Sequence, residues 1–229
     1  MPAAGQSRRA GTTTSKLLTP LGPRPLLWYT LQGLHRCPQV RDILLVVRKE
    51  DHAAIARLCQ RAPFPKARVV SPGGRTRQDS VWIGLQNLNG DSPLVVVHDA
   101  ARPFLPLPLL RECLRQAALA GAAIAAVPCS DTLKATNALT IRGTLSREGL
   151  WLAQTPQVFR RDLLVRAHQR ARRHRYSATD DAALVERLGH PVRVVPSSAL
   201  NLKVTTAADL QLACLFAQNG RRLGRLLGW

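Results

Sequence analysis

Short apolar runs alternate with amphipathic stretches along this chain. Ile43–Val47 (ILLVV), Ala67–Ser71 (ARVVS), Leu94–Val97 (LVVV), Ala122–Val127 (AAIAAV) and Val192–Val195 (VRVV) predict strands. Between them, helical periodicity runs across Asp51–Gln60, Gln78–Leu88 and Pro106–Ala120, the last with a proline in its first turn. Strands that are nearly continuously apolar and separated by helices imply an α/β fold whose parallel sheet is covered on both faces. In such sheets ligands sit beyond the carboxyl ends of the strands, so the polar motifs directly after each run carry the functional weight.

Two regions break the alternation. Asp131–Arg147 (DTLKATNALTIRGTLSR) alternates polar and apolar residues around Thr136-Asn137-Ala138 and predicts a protruding β-hairpin. A two-stranded arm is marginal alone in water, so it should pack against something, most simply the same arm of a second subunit in a homodimer. The tail Asn219–Trp229 is basic with scattered leucines and predicts a frayed helix, with a membrane-touching helix as the lesser alternative. No internal repeat or long linker divides the rest, so residues 1–218 are expected to form a single domain ahead of the 219–229 tail.

Composition narrows the partners. Lys and Arg number 33 against 14 Asp and Glu, a formal charge of +19, which suits an enzyme of anionic substrates or a polyanion binder. The basic residues are spread along the chain and aromatics are only 4% of it, which leaves few platforms for base stacking and argues against a specific nucleic-acid partner. An arginine-rich compositional bias explains the excess charge equally well. Five scattered cysteines, with no C-x-x-C spacing, read as buried thiols in a reducing compartment. No apolar run approaches the roughly 18–20 residues needed to span a bilayer, and the expected setting is cytoplasmic, with no membrane partner.

The candidate chemistry lies in loops. Pro2-Ala3-Ala4-Gly5-Gln6-Ser7-Arg8-Arg9, with Lys16 beyond it, is a small-residue segment armed with cations. Small side chains let backbone N–H groups approach an anion or a flat base, and Arg9 and Lys16 suit a polyphosphate; a flexible basic terminus is the plainer reading. His98-Asp99-Ala100-Ala101-Arg102-Pro103 closes a strand with an acid and a base three apart. Asp99 there can take ribose hydroxyls or Mg²⁺ and Arg102 a phosphate, or the two can simply shape a turn. Gly73-Gly74-Arg75-Thr76-Arg77-Gln78-Asp79-Ser80 joins a strand to a helix start, with Ser80 in the anion-favouring first turn and Asp79 or Ser80 as a plain cap in the alternative. In Asn201-Leu202-Lys203-Val204-Thr205-Thr206, a threonine is expected to cap the next helix, while Lys203 makes sense only around an anion. Thr155-Pro156-Gln157 and Thr179-Asp180-Asp181 offer hydroxyls and carboxylates to a second, polyol-phosphate pocket.

Taken in order, PAAGQSRRAG with Lys16, GGRTRQDSVWIGL, VVVHDAARP, SDTLK, QTPQVF, SATDDAALVE and NLKVTTAADL resemble the 2-C-methyl-D-erythritol 4-phosphate cytidylyltransferases, within the nucleotidyltransferase superfamily. The resemblance spans Pro2 to about Leu215 and implies a three-layer, Rossmann-like, mostly parallel sheet with a dimerisation arm. It implies transfer of a cytidylyl group from CTP to methylerythritol phosphate with release of diphosphate, assisted by Mg²⁺. Ala3, Ala4, Gly5 and Ser80 would hold cytosine, Asp99 the ribose or the metal, and Arg9 and Lys16 the triphosphate, with Gly74 also in the CTP site. Arg9, Lys16 and Lys203 would be the catalytic cations. The acceptor pocket carries over to Thr155, Thr179 and Lys203, with Arg102, Thr132 and Arg147 lent by the neighbouring subunit's arm. A relative acting on ribitol 5-phosphate or another polyol phosphate, and an inactive polyanion-binding homologue, share much of this pattern. The family places a hydrophobic strand directly before its P-A-A-G loop; here Met1 stands in that position, so a misassigned start or a truncated copy is expected. The Ser15-Lys16-Leu17 context and the basic segment at 75–77 also depart from the family pattern.

Overall fold

The computed structural model describes residues 1–4, 15–61 and 64–219. Its elements begin with β1 (Pro2–Ala3), a 3-10 turn (Lys16–Leu18), β2 (Pro20–Leu21), β3 (Arg24–Pro25), α1 (Leu26–His35), β4 (Ile43–Val47), α2 (His52–Arg61) and β5 (Ala67–Val70). They continue with α3 (Arg77–Gln86), β6 (Leu94–Val97), α4 (Leu107–Ala120), β7 (Ala122–Pro128), and the arm strands β8 (Leu133–Asn137) and β9 (Thr140–Leu145). The last are β10 (Trp151–Arg160), α5 (Arg161–Arg173), α6 (Asp181–Glu186), β11 (Arg193–Pro196) and α7 (Ala207–Gln218). Every strand and helix expected from the apolar runs is present, with its ends within two residues.

The strands form two main sheets. One is parallel, in the order β1-β4-β5; the other runs β11-β7-β10-β6. The expectation of a parallel sheet holds for β7 and β11, but β10 lies antiparallel to both β6 and β7. The cause is the arm: β7 leaves the sheet, turns back through β8 and β9, and returns as β10 with no crossover helix to restore its direction. Pro2 and Ala3, the first residues of the P-A-A-G segment, form the two-residue β1, paired in parallel with Val46 and Val47.

Period-two alternation buries both faces. Ala123, Ala125 and Val158 face a core shared with α1 and α4, while Ala122, Ile124 and Phe159 face a second core shared with α3, α5 and α6. Three elements escape the apolar pattern. In α1, seven of ten residues are buried, so no polar face marks the helix. In β10, Gln154-Thr155-Pro156-Gln157 interrupts the strand with polar groups whose partners are distant in sequence. In α5, the helically spaced Leu163, Leu164, Ala167 and Ala171 are buried, but arginines crowd the exposed face. All five cysteines are free thiols, and among the described residues no helix is long and apolar enough to cross a membrane.

Candidate active site

The site is assembled where β6 ends beside β10. Gln157 pairs with Val97, so Thr155 lies just past the end of that ladder, against His98 and Asp99. The Asp99 N–H donates to the Thr155 hydroxyl at 3.0 Å, which itself lies 3.0 Å from His98 Nδ1. On the other side of the ring, His98 Nε2 is 3.3 Å from the Arg102 carbonyl. A carbonyl only accepts, so Nε2 carries the proton and Nδ1 takes the Thr155 hydroxyl proton. Complete burial pushes His98 down to about 4, which keeps the imidazole neutral in that relay. The chain thereby fixes the backbone at Asp99.

Asp99 is the centre of a cationic cluster. Lys203 Nζ stands 2.8 Å from its carboxylate, Arg77 Nε 3.3 Å and Arg102 Nε 3.8 Å. Burial by itself would raise the Asp99 carboxyl; Lys203, then Arg77 and Arg102, overcome it and hold the group well below the usual carboxylate range. The cations are in turn held by backbone. Arg102 donates to the Asn201 carbonyl at 2.6 Å, and the Val204 N–H donates to the Ala101 carbonyl at 2.9 Å. Buried Asn201 donates from Nδ2 to Gln154 and to the Thr155 carbonyl, each at 2.8 Å. Lys16, at the start of the 3-10 turn, donates to the Val204 carbonyl at 3.0 Å. Three segments far apart in sequence thus bring Lys16, Asp99, Arg102 and Lys203 to one place.

Facing this cluster is the loop between β5 and α3. The Gly73 N–H bonds Val47 O at 2.7 Å, and a Cβ at Gly73 would come within 2.4 Å of Ala4 Cβ. At Gly74 a Cβ would meet the Asp79 Cβ at 2.2 Å and the Ser80 nitrogen at 2.8 Å, so only glycine lets the loop close on the helix start. The Gly74 N–H donates to Ser80 Oγ at 3.2 Å, and buried Ser80 donates onward to the Thr76 carbonyl. The plain-cap alternative for Asp79 or Ser80 gives way to Thr76, which caps α3 in a reciprocal box with Asp79. Thr206 caps α7 in the same way with Asp209, as the sequence predicts for one of the two threonines. Ala3 ends β1, and Ala4 follows it beside Gly73. Gly5 and Arg9 lie outside the described residues.

The acceptor-side residues divide. Thr155 is buried, and its hydroxyl already serves His98 and Asp99. Thr179 is exposed, directly before Asp180, whose side chain caps α6. Thr132 and Arg147 are exposed at the base of the arm, where Arg147 donates to the Ser130 carbonyl. Arg102 corrects the expectation that it travels with the arm: it sits in the loop after β6, buried, three residues from its Asp99 partner and bonded to Asn201 of its own chain.

Arg77 is the residue of this cluster that the sequence motifs did not single out, and it joins Asp99 to Asp181, one of the carboxylates that the sequence offered to the acceptor pocket. Arg77 binds Asp99 through Nε and Asp181 through Nη1 at 2.6 Å; Asp181 is buried and also meets His168 Nε2 at 2.9 Å. Burial opposes ionisation of Asp181, but the hydrogen bond from His168 and the charge of Arg77 lower its carboxyl below the ordinary value. The overlooked signal is position. Arg77 is the first residue of α3, where the helix dipole disfavours a cation, so the arginine needs carboxylates from elsewhere.

Among the described residues, no three His, Cys, Asp or Glu side chains gather as a metal cage. Asp99 is a hard oxygen donor, but three cations share it. That donor set does not fit a magnesium ion held by the protein alone.

The whole chain was then compared with known proteins. The family model of 2-C-methyl-D-erythritol 4-phosphate cytidylyltransferase matches residues 1–219. The enzyme of that name from Desulforamulus reducens is 42% identical over 218 residues, covering 94% of this chain and 93% of its own. Among solved structures, 4-diphosphocytidyl-2C-methyl-D-erythritol synthase from Anaerococcus prevotii superposes with a TM-score of 0.83 at 30% identity, covering 95% of each chain. The cytidylyltransferase from Thermus thermophilus gives 0.77 at 35% identity, covering 94% of this chain and 96% of that one. Likeness this extensive, in sequence and in backbone alike, leaves one placement: the chain belongs to the 2-C-methyl-D-erythritol 4-phosphate cytidylyltransferase family.

Proposed function

We infer that the chain transfers the cytidylyl group of CTP to the phosphate of 2-C-methyl-D-erythritol 4-phosphate, releasing diphosphate, and that the cluster around Asp99 is where it does so. The observation that carries the reading is the convergence of Arg77, Arg102 and Lys203 on a single carboxylate at the end of β6, with Lys16 bonded to the carbonyl of Val204, next to Lys203. Arg77 and Arg102 also tie the fold together, but Lys203, with its side chain 42% exposed, leaves charge at the surface that suits a polyanion.

In this reading an acceptor phosphate oxygen attacks the α-phosphorus of CTP. The bond from that phosphorus to the bridging oxygen of the diphosphate breaks, and the leaving group keeps the electron pair. A phosphate is already a competent nucleophile, so no general base is needed. The work is to bring two anions together and to stabilise charge on the α-phosphate and the leaving group. Lys16 and Arg9 take the triphosphate, and Lys203, paired with Asp99 in the free chain, moves onto phosphate oxygen as substrate enters. Ala3, Ala4, Gly5, Gly74 and Ser80 form the base site, and Asp99 holds the ribose. Mg²⁺ would come on the CTP phosphates rather than in a protein cage, and would supply charge neutralisation there. Thr179 and Lys203 bind the acceptor together with Arg102, and Thr155 positions Asp99 through its hydroxyl. A homodimer, in which each arm lends Thr132 and Arg147 to the other subunit, completes the pocket. Residues 1–218 form the one domain, and no nucleic acid or membrane takes part.

Diphosphate release tests this. CTP with methylerythritol phosphate should turn over far faster than CTP with ribitol 5-phosphate. Equal turnover on ribitol 5-phosphate would move the chain to a different acceptor. DNA binding without release of diphosphate would support a polyanion-binding homologue instead.

A further inference from the structure

Helix α3 touches more than the base site. Its first turn starts at Arg77, just after the loop of Gly74, and holds Ser80 against that loop. Gln78 and Ser80, two positions apart on a helix, point to nearly opposite sides. The Gln78 side meets the segment between α5 and α6, residues 174–180, which carries Thr179. The Ala178 N–H donates to Gln78 Oε1 at 3.0 Å, and Gln78 Nε2 donates to the Tyr176 carbonyl at 3.4 Å. The two bonds fix the orientation of the amide, because the N–H needs its oxygen and the carbonyl its nitrogen. Both partners are backbone, so the glutamine holds the path of the chain and not its side chains.

Neighbouring contacts close the same seam. One helical turn on from Gln78, Trp82 stacks on His168 of α5, with ring centroids 6.2 Å apart. Trp82, Tyr176 and Ala178 pack against one apolar core. Arg172 lies 3.7 Å from Asp79 and over the Trp82 ring. Arg77 reaches Asp181, just past the segment, at 2.6 Å. The far end is held separately: Gln157 donates to Asp180 at 2.7 Å, and Asp180 caps α6. Among the described residues, the bond to Gln78 is the one hydrogen bond that ties residues 177–179 to another part of the chain.

We propose that Gln78 is a positioning residue for the acceptor: by holding the backbone at Tyr176 and Ala178, it sets the Thr179 hydroxyl at a defined distance from the base site on the same helix start. The proposal rests on the reading in which Thr179 meets the acceptor; Gln78 itself touches no substrate. The acceptor phosphate must come close to the α-phosphorus of CTP, and a small misplacement of either partner slows transfer. Carrying one site on each side of its first turn, α3 fixes their separation. A threonine on an untied loop would lose backbone freedom at each encounter, which weakens binding. Gln78 orders that loop before substrate arrives.

Steady-state diphosphate release by the full chain tests this in a double-mutant cycle of Gln78→Met and Thr179→Val. Methionine matches glutamine in length and makes neither bond. Gln78→Met should raise KM for methylerythritol phosphate about five-fold, the net effect of one hydrogen bond, with KM for CTP and kcat within about twofold. In the Thr179→Val background, where the hydroxyl is already gone, Gln78→Met should add less than about twofold. Gln78→Glu keeps the oxygen that takes the Ala178 N–H and should fall between the parent chain and Gln78→Met. Faster amide exchange at Ala178 in Gln78→Met should accompany these changes. An unchanged acceptor KM in folded Gln78→Met would overturn the proposal and leave the transfer reaction standing. An equal loss with and without the Thr179 hydroxyl would also overturn it, since Gln78 would then act elsewhere. A parent chain that releases no diphosphate with methylerythritol phosphate would sink the acceptor reading itself, and the proposal with it.

Discussion

At the residue scale, the proposed reaction rests on the cations beside Asp99. Lys203 reaches Asp99 from a loop about a hundred residues away and keeps 42% of its side chain exposed, free to exchange the carboxylate for a phosphate. Removing one such donor costs on the order of 10²–10³ in kcat where it acts on the transition state. Lys203→Ala and Lys16→Ala should each lower kcat for diphosphate release by about that factor, with thermal unfolding little changed. Near-normal kcat in either folded variant would take that lysine out of the reaction. Lys203 was legible as the partner of an anion, because a lysine beside a strand end calls for one, and Asp99 meets it. Arg77 was not, since its carboxylate partners lie 22 and 104 residues away. His98 makes a separate prediction. Its folded pKa of about 4 lies below the 6.5 of the free side chain, so the unfolded chain binds the extra proton between those values. The stability it contributes is whole above pH 6.5 and lost as pH falls toward 4, about 3 kcal/mol in all. The buried Met1 ammonium, depressed from 8.0 to about 5, adds to the same trend from pH 8 downward. Urea unfolding should therefore show midpoints that fall steadily from pH 8 to pH 4; a flat profile would mean that His98 takes up its proton without unfolding.

At the scale of elements, two joints set the geometry. The first is the close approach of the β5–α3 loop to the start of α3, where a Cβ at Gly74 would collide with backbone of Asp79 and Ser80. Gly74→Ala should move the loop off Ser80, raise KM for CTP several-fold and cost about 1–3 kcal/mol of stability. An unchanged KM would separate this loop from the base site. The second joint is Arg77, which ties the end of β6 to the start of α6 through Asp99 and Asp181. Breaking a buried pair by removing one partner costs about 3–5 kcal/mol, and here His168 and Lys203 still serve the two carboxylates. Arg77→Ala should therefore lose about 2–3 kcal/mol, and Arg77→Lys, which keeps the charge but cannot fork, should recover only part of it. A loss within experimental error would show that the two joints are independent. Strands β4, β6 and β7 were readable because both faces of each are buried, which makes them apolar throughout. The antiparallel β10 was not, because its polar centre is satisfied by His98, Asp99 and Asp181, contacts that no local pattern encodes.

At the scale of the molecule, the arm is the part least able to stand alone. Its strands pair only with each other, and Leu139, Ile141 and Leu145 are more than half exposed, with Trp151 and Leu152 exposed where β10 leaves the sheet. The alternating pattern made the hairpin legible, with its turn at Ala138-Leu139, one residue beyond the expected centre. What covers it was legible only as a physical demand, because exposed apolar side chains on a two-stranded ribbon are costly in water. If a second arm meets that demand, a charge placed in the contact must break it. Ile141→Asp combined with Trp151→Asp should convert a dimer to a monomer in sedimentation, because two desolvated carboxylates per subunit outweigh the apolar area gained. The same variant should raise KM for methylerythritol phosphate at least tenfold while leaving CTP affinity within about twofold. That split follows from geometry: Thr132 and Arg147 sit at the arm base, whereas Gly74, Ser80 and Asp99 sit in the body of the chain. A monomer that binds both substrates normally would show that one subunit holds a complete acceptor pocket, and the arm would then need a different partner.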